Sequence, residues 1–464
     1  MDNHRLTGYG DPLQGEDGQS AAVDHSLSLW SEADCGSGCR VLYGRPPSIA
    51  TMSDAFESLR IKSRADSNLR PLLLGQSISL FGDYVAYVAL PLFIVELTGS
   101  ALDLGLTAAS ETVPMLFFGI AAGVILDRSV VKRTLIFADL ARSTAFALLA
   151  LAAFTDVATP LMVFATAFVV GSMSSLFDSG LQAYLPLALT EDMLVIANSR
   201  LQLIRTLAFT AGAATGGMLF EFAGAGPAFL LNAGTFLVSA LYLALVRDVY
   251  PRQLGTGQPF LQAVREGLRF LWRDRRLRWA TIGAALANLT FAPLEVLLAL
   301  FGKTELGLSD AGVGWLYALQ ALIGALAAWV APWAARRLQL GRMFVVGMVV
   351  MGTGWLVAAT FTSNFIAVIP TGIALGGVSW INVAVSTLRH RLTPPDKLGR
   401  VVSASRTLSW IGIPVGAALG GALGEGIGLV PLFTAASITV IVIGMGLAAT
   451  PLWTDPVSPT ADQS

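Results

Sequence analysis

Long apolar runs recur along most of this chain, and their length restricts the fold more than any other feature of the sequence. Each is about 20 residues or longer, which at 1.5 Å per residue is enough for a helix to cross roughly 30 Å of hydrocarbon. Helices are favoured over membrane strands, which are about ten residues long and alternate in polarity. Twelve segments are predicted, at roughly 71–97, 102–126, 134–155, 159–184, 199–222, 226–246, 279–302, 311–335, 343–362, 364–388, 401–423 and 428–453.

The composition excludes a soluble protein. Of 464 residues, 54% are hydrophobic and only 13% are charged, and the mean hydropathy is +0.65. A soluble chain of this size cannot cover so much apolar surface with so few charges. The fold class is therefore predicted as an all-α integral membrane protein of twelve transmembrane helices in two six-helix halves.

Several other classes find no support in the residues. The net charge is −1 and no basic tail is present, so no nucleic-acid partner is expected. Cys35 and Cys39 form a lone C-x3-C without a second pair, and free thiols are expected rather than a metal site. The three histidines lie outside the apolar segments, and no hydrolase or metalloprotease motif is present, so neither an enzyme nor a cofactor is predicted.

The segments divide the chain into five parts. Residues 1–68 are rich in Gly, Ser and Asp and are predicted to be a disordered cytoplasmic tail. The two six-helix halves cover 69–247 and 279–453. Between them, 248–278 is predicted as a cytoplasmic loop with an amphipathic helix at 260–272, lying on the inner membrane surface or binding a partner, and 454–464 is a short cytoplasmic tail.

The basic residues predict the orientation. If the N-terminus is inside, the inner flanks of the segments carry 23 Lys and Arg residues, and the outer loops carry one, Lys303. Cytoplasmic loops are enriched in Lys and Arg, so both termini are predicted to be cytoplasmic in a multi-pass protein of the cell membrane.

The two halves repeat a pattern of small residues. The fifth segment contains Gly-Ala-Ala-Thr-Gly-Gly at 212–217, and the eleventh contains Gly-Ala-Ala-Leu-Gly-Gly at 416–421, an offset of 204 residues. Small residues at this spacing let helix backbones approach closely. A conformational role is predicted for six glycines, although generic packing would also use them: Gly212, Gly216, Gly217, Gly416, Gly420 and Gly421.

A short charged loop joins the second and third segments. It begins at Gly123 and carries Asp127, Arg128, Lys132 and Arg133 between two membrane-length runs. It resembles the Gly-x3-Asp-Arg-x-Gly-x-Arg-Arg loop of the major facilitator superfamily, except that the internal glycine is Val130. The GAATGG stretch is similar to the antiporter motif of that superfamily, with Ala213 in place of proline.

Two further stretches resemble the branch that holds enterobactin exporters and macrolide efflux pumps. They are 68–83, ending Leu-Phe-Gly-Asp, and 381–401, which contains Thr-Pro-Pro-Asp and Leu-Gly-Arg-Val. The resemblance covers about 70–453. It implies a monomeric secondary transporter that exports a small amphipathic molecule by alternating access, with a proton or other ion as coupling partner and membrane lipid around it. The fourth segment lacks an arginine that many proton-coupled relatives carry.

Three acidic residues inside the segments are predicted to bind substrate and protons. Asp83 lies near the middle of the first segment, and Glu111 and Glu295 lie in the outer halves of the second and seventh. Charges inside a membrane are costly and are kept for a reason. Desolvation favours the neutral form of a carboxylate, so such a group can exchange a proton for a cationic substrate. Alternatively, Asp83 only hydrogen-bonds a neighbouring helix.

Other charged residues are predicted to be structural or to act in gating. Asp127 is expected to meet the N-terminal end of the eleventh segment near Val401, and Arg128 is expected to reach Asp178, which would close the inner side. Asp139 and Arg142 are spaced i, i+3 and are expected to pair. Arg205 and Arg406 are expected to snorkel or to hold the halves together, and Glu221 and Glu425 are expected to be solvated.

Alternatives of other classes remain open on the sequence alone. Gly302-Lys303-Thr304 is the only fragment of a phosphate-binding loop, and its position on the outer side argues against an ATP-driven pump. A non-transporting membrane sensor or a lipid-handling protein on the same scaffold is the main alternative, because a fold does not determine a function.

Overall fold

The computed structural model describes residues 49–247, 260–360, 367–394 and 397–454, and within these it leaves undescribed the side chains of 49–66, 118–124, 127–128, 260–264 and 454. The described residues form helices joined by short turns, without a strand. In chain order the helices are α1 (Ile49–Thr98), α2 (Ala101–Arg128), α3 (Val131–Phe154), α4 (Pro160–Ala188), α5 (Glu191–Ala223), α6 (Ala225–Leu245), α7 (Phe260–Arg273), α8 (Arg275–Val296), α9 (Leu298–Thr304), α10 (Asp310–Leu338), α11 (Leu340–Thr360), α12 (Val368–Leu392), α13 (Leu398–Trp410), α14 (Gly412–Ile427), α15 (Leu429–Leu447) and α16 (Pro451–Thr454).

The predicted all-α membrane class is confirmed. Within the described residues, ten helical spans are long and apolar enough to cross a membrane, and the bent pair α8–α9 makes an eleventh. Helix α2 is 28 residues long, but part of it lies among the undescribed side chains. A count of twelve therefore stays a prediction.

The first helix begins earlier than predicted. Residues 49–68 were expected to belong to a disordered tail, but α1 starts at Ile49 and continues without interruption to Thr98. The sequence from Ile49 to Arg70 holds no Gly or Pro, and ten of its 22 residues are Ala, Leu, Lys, Arg or Glu, which favours a helix. The predicted tail at 1–48, the loop residues 248–259 and the C-terminal residues 455–464 lie outside the described residues.

The first half comprises α1–α6 and the second comprises α8–α15. Within the first half, α3 packs against α4 and α6, and α2 against α4; in the second, α12 packs against α10 and α11, and α8 against α14. The most extensive contacts between the halves are those of α5 with α10 and of α2 with α14. Each half thus contributes its second and fifth spans to the interface, which is the arrangement expected of two repeated units.

Because consecutive spans are antiparallel, the bundle has two distinct ends. We call the end that holds Arg133, Arg200, Arg275 and Lys397 the basic end. We call the other, where α1 ends at Thr98, the far end; α2 and α10 start there, and α5 and α14 finish there.

A break in the seventh span positions one of the predicted acids. Helix α8 contains Pro293 and meets α9 at a bend of 41° around Leu297. Proline lacks an N–H and crowds the preceding turn, which accounts for the bend. Phe301 of α9 stacks on Phe433 with ring centroids 4.6 Å apart, which anchors the short helix, and Glu295 lies directly before the bend.

The predicted amphipathic helix is present as α7. It packs against α13: the backbone of Arg400 closely approaches Gly267, and Arg400 pairs with Glu266. Lys397 lies 5.8 Å from the ring of Phe270. These contacts attach the helix to the second half, beside the segment that begins the eleventh span.

Candidate functional site

A cavity of about 280 Å³ lies between the halves. Most of its lining comes from α1–α5, and Glu295, Val296 and Tyr317 come from the second half. The predicted acids Asp83, Glu111 and Glu295 all line it. The structure therefore brings together three carboxylates that are separated by up to 212 residues in sequence.

Asp83 faces a buried arginine. Its carboxylate oxygen lies 4.0 Å from Nη1 of Arg142, and the Asp83 side chain is 30% exposed to the cavity whereas that of Arg142 is 4% exposed. On the adjacent residue, Gly82, a Cβ would lie 2.0 Å from the hydroxyl of Thr235. Close packing of α1 on α6 at Gly82 turns the neighbouring Asp83 toward the cavity.

Arg142 is fixed from several sides. It pairs with Asp139 on its own helix, as predicted, and its Nη1 donates to Ser174 at 3.3 Å. Its guanidinium lies 4.5 Å from the ring of Phe177 and 4.2 Å from that of Phe236. Aromatic faces stabilise a desolvated cation, so the two rings stabilise the guanidinium in its place between two carboxylates. The sequence predicted the helical pair but not the approach of Arg142 to Asp83.

Glu295 connects the two halves. One carboxylate oxygen accepts a 2.9 Å hydrogen bond from Nε2 of Gln320, and the other accepts one of 3.2 Å from the hydroxyl of Tyr87 on α1. The hydroxyl of Tyr317 donates to the Glu295 backbone oxygen at 3.2 Å. The rings of Tyr87 and Tyr317 meet edge to face with centroids 5.7 Å apart. Any separation of α1 from α8 must break the Tyr87 bond.

Glu111 has a different environment. Its side chain lines the cavity, and no hydrogen bond or ion pair to it occurs among the described residues. Its backbone lies tightly against α4, where a Cβ on Gly171 would be 1.9 Å from the backbone oxygen of Glu111. The position of the helix is therefore fixed while the carboxylate itself is available to a ligand.

Asp178 lies where the cavity continues toward the basic end. It lines the main cavity and two neighbouring ones of about 540 and 280 Å³, which also contact Arg406. Its Oδ1 lies 3.8 Å from Nη2 of Arg205. Asp178 thus faces the cavity beside an arginine of α5. Its predicted contact with Arg128 stays a prediction, because the Arg128 side chain lies outside the described residues.

The predicted charged loop is described only in part. The side chains of Gly123, Asp127 and Arg128 lie outside the described residues, so their expected contacts stay predictions. Lys132 donates to the backbone oxygens of Ala244 at 2.8 Å and Val246 at 2.5 Å, at the C-terminal end of α6. Unpaired carbonyls at a helix end attract a cation. Arg133 is exposed, without an ion pair in the described part of the chain.

The six predicted glycines fall into two groups. Four lie against the first helix of their own half: a Cβ on Gly212 or Gly216 would meet Tyr84 or Val85 of α1, and one on Gly416 or Gly420 would meet α8. The others lie between the halves at the far end. A Cβ on Gly217 would be 2.7 Å from the Cα of Gly314, and one on Gly421 would be 3.0 Å from the Cα of Gly105.

Two glutamates at the far end bind across the halves. Glu425, at the end of α14, accepts hydrogen bonds from the first turn of α2: 2.9 Å from the backbone N–H of Ala101 and 3.1 Å from the hydroxyl of Ser100. Glu221, at the end of α5, accepts a 2.7 Å bond from the N–H of Ala311 in the first turn of α10. We call these two contacts the far-end caps.

The far-end caps correct the expectation that both glutamates are merely solvated. A carboxylate at a helix N-terminus binds unpaired N–H groups and the positive end of the helix dipole. The signal was present in the sequence, because Glu221 and Glu425 are 204 residues apart, the same offset as the glycine repeat. Together with the glycine contacts, they close the bundle at the far end.

The chain belongs to the Major Facilitator Superfamily, whose profile matches residues 72–342 and 303–463. Among curated proteins, it is 27% identical over 393 residues to the MFS-type transporter y4rN of Sinorhizobium fredii, covering 83% of this chain and 96% of that protein. It is 23% identical over 380 residues to macrolide efflux protein A of Streptococcus pyogenes, covering 80% of this chain and 93% of that protein. It is 25% identical over 379 residues to the multidrug efflux pump Tap of Mycolicibacterium fortuitum, covering 78% of this chain and 91% of that protein.

Solved structures agree on the fold. The nucleoside transporter NupG superposes with a TM-score of 0.64 at 13% identity, covering 82% of this chain and 99% of that one. A bacterial homologue of the iron transporter ferroportin, in an inward-facing state, superposes with a TM-score of 0.62 at 19% identity, covering 84% and 99%. The chain is thus a multi-pass membrane transporter with efflux pumps among its relatives, as the sequence resemblance implied.

Proposed function

We propose that this protein exports a small amphipathic molecule, of the drug, macrolide or siderophore-like kind, by alternating access coupled to proton antiport. The observation that carries the proposal is the cavity that Asp83, Glu111 and Glu295 line between two halves held together at the far end. A site that both halves line can be opened to either side when the halves rock against each other. The relatives named as efflux pumps support the direction.

The orientation belongs to the same proposal. We place the basic end at the cytoplasm, with both termini inside and the protein acting as a monomer in the cell membrane, because Lys and Arg mark the inner side. The far-end closure then leaves the cavity accessible from the cytoplasm. This is the state in which an exporter collects its substrate.

The carboxylates supply the coupling. In the proposed cycle, Asp83 holds either a proton or a positively charged substrate. Arg142 pairs with both Asp83 and Asp139 when Asp83 is ionised, and with Asp139 alone when Asp83 is neutral. When Asp83 is neutral, Arg142 keeps Asp139 as its counter-ion, so the Arg142 guanidinium is never left unpaired inside the membrane. One charge that moves through 100 mV gains about 2.3 kcal/mol, which is enough to bias such a cycle.

Flux in liposomes tests the proposal. The purified protein is reconstituted, a proton gradient is imposed, and the uptake or release of amphipathic amines, macrolides and siderophores is followed, with a collapsed gradient as the control. Gradient-dependent flux of at least one compound is expected. Flux that is identical with and without the gradient would contradict proton coupling, and no flux of any compound would favour a sensor or lipid-handling role.

The far-end caps are expected to bias the equilibrium between the two open states. Replacing Glu221 and Glu425 together by Gln removes both charges but keeps an acceptor oxygen, so the far end should open roughly twofold to fivefold more often. Spin labels at Val157 and Thr304, on exposed sites of the two halves, report the opening as a longer interspin distance after Cys35 and Cys39 are replaced by Ser. The single variants should give intermediate shifts. A distance distribution that stays unchanged in the double variant would show that the caps do not hold this end closed.

The charged loop is expected to act at the opposite end. Asp127→Ala should slow transport severalfold while leaving substrate affinity nearly intact, because a carboxylate there can bind the N-terminal end of α13 only when the basic end is closed. Flux and equilibrium binding measured on the same preparation separate the two effects. An unchanged transport rate would refute the gating role, and a large loss of affinity would indicate a role at the binding site.

A further inference from the structure

A second, smaller cavity lies inside the second half, toward the basic end. It has a volume of about 60 Å³ and is lined by α8, α11, α12 and α13. Its polar lining consists of Asn288, Asn382, Arg389 and Ser409, with the indole of Trp410 beside them. Among the residues that the structure describes, no acidic residue lines it, whereas four acidic residues line the main cavity.

Arg389 is the one charged group in the described part of this lining, and it is incompletely paired. Its Nη2 donates to the hydroxyl of Ser409 at 3.3 Å, while its Nε is buried without a hydrogen-bond partner. Within the described residues it forms no ion pair. Two arginines that line the main cavity do so beside an acid: Arg142 pairs with Asp83 and Asp139, and Arg205 pairs with Asp178.

Its surroundings leave donor groups free and add positive charge. Asn288 uses its amide nitrogen to donate to the Ser409 backbone oxygen at 2.9 Å, and Asn382 is exposed to the cavity with no bond to it in the described part of the protein. Arg406 lies 4.0 Å from the Trp410 ring and close enough to Arg389 for the two cations to repel. An arginine in a membrane span without a counter-ion is costly, and costlier beside a second cation.

We propose that Arg389 binds an oxyanion, and that this oxyanion is the carboxylate or phosphate group of the transported molecule. A guanidinium presents its donors in a planar fork that matches such a group. Nε and the Nη atoms of Arg389 supply the fork, Asn382 supplies a further donor, and Trp410 supplies an apolar face for the adjoining part of the ligand. A cavity of this size accommodates the acidic group rather than the whole molecule.

The position of Trp410 connects this subsite to the transport route. Trp410 also lines the cavity between the halves that contains Asp178 and Arg406. The subsite therefore lies next to the cavity that, in the proposed orientation, faces the cytoplasm. The inference rests on the proposed function and narrows its substrate to an amphiphile with an acidic group, whose basic or polar part reaches the carboxylates of the first half.

Binding to the purified protein tests the subsite without requiring transport. Sodium benzoate is titrated at constant ionic strength and followed by calorimetry, and benzylammonium chloride, with the same ring and the opposite charge, is the control ligand. Benzoate should bind wild type, and Arg389→Gln should weaken it at least tenfold. Arg389→Lys, which keeps the charge but loses the fork, should weaken it less. Arg391→Gln, an exposed arginine two residues along the same helix, should bind benzoate as wild type does.

Each outcome supports or overturns the binding of an oxyanion by Arg389. Benzoate affinity that is equal in wild type and Arg389→Gln, or benzylammonium that binds as tightly with the same dependence on Arg389, would overturn the subsite. Binding that is confined to short-chain phosphatidylglycerol and lost in Arg389→Gln would assign the site to a lipid headgroup and overturn the substrate assignment. Because no gradient is used, Arg389-dependent benzoate binding in a protein that shows no flux would retain the oxyanion site while the proposed transport function fails.

Discussion

Asp83→Asn is expected to reduce gradient-driven flux at least about tenfold, which corresponds to a loss of roughly 1.4 kcal/mol at the rate-limiting step. Asparagine keeps the size and hydrogen-bonding capacity of the side chain but cannot exchange a proton. It also leaves Arg142 with Asp139 as its only counter-ion at every stage of the cycle. Flux in proteoliposomes, with the proton gradient imposed and then collapsed, measures the effect.

A matched variant separates coupling from folding. Glu96 lies on the same helix, near the far end, and its side chain is exposed, so Glu96→Gln removes one carboxylate without touching the cavity. It should transport as wild type does. If Asp83→Asn retains gradient-dependent flux equal to that of Glu96→Gln, Asp83 is not the coupling group, and Glu111 and Glu295 become the candidates. Substrate exchange without a gradient should persist in Asp83→Asn, because the halves can still rock with a permanently neutral residue 83.

The spans and the repeat were readable in the sequence because their signals are local. An apolar run of membrane length predicts a helix wherever it occurs, and the offset between two glycine patterns needs no knowledge of packing. What the sequence could not supply is which side chains meet across the cavity.

The approach of Arg142 to Asp83 shows why. A pair spaced i, i+3 is visible along one helix, whereas the neighbour on another helix depends on the depth and rotation of both. The same limit applies to the approach of Asp178 to Arg205, which no pattern along either helix predicts. Arg389 is a further example, since the absence of an acidic partner is visible only after all the neighbouring helices are in place.

The far-end caps illustrate the opposite case. Both glutamates stand at helix ends, where solvation is the ordinary expectation, and each alone carries no signal. The informative signal is that they are 204 residues apart, which is also the separation of Gly217 from Gly421. A polar residue that repeats in register with a packing motif is better explained by a contact that both halves make than by two independent surface positions.

The double variant Gly217→Ala, Gly421→Ala is expected to open the far end. A Cβ on Gly217 would lie 2.5 Å from the backbone oxygen of Asp310, and one on Gly421 would lie 2.7 Å from that of Ala101. Backbone atoms cannot move aside as flexible side chains do, so the helices of the two halves must separate. Overpacking costs about 1–3 kcal/mol at a site, and 1.4 kcal/mol changes a population ratio tenfold, so the far-end-open state should gain at least about tenfold.

Two pairs of spin labels measure this shift. The pair at Val157 and Thr304 should report a longer distance at the far end, and a pair at the exposed residues Arg200 and Lys397 should report a shorter one at the basic end. A change of both in opposite directions distinguishes a rocking motion from local distortion. Transport should fall as well, because the state open at the basic end, in which the cavity is proposed to take up substrate, is less populated.

Glycines of the same bundle provide the control. A Cβ on Gly234 or Gly426 would meet nothing within 4 Å, so Gly234→Ala with Gly426→Ala introduces the same two methyl groups into helices α6 and α14 without a clash. This control variant should keep the wild-type distances and flux, or gain slightly in stability because alanine favours a helix more than glycine does. If the Gly217 and Gly421 variant behaves as this control does, the close approach at the far end does not hold the halves together. The hydrogen bonds of Glu221 and Glu425 would then have to hold that end without the glycine contacts.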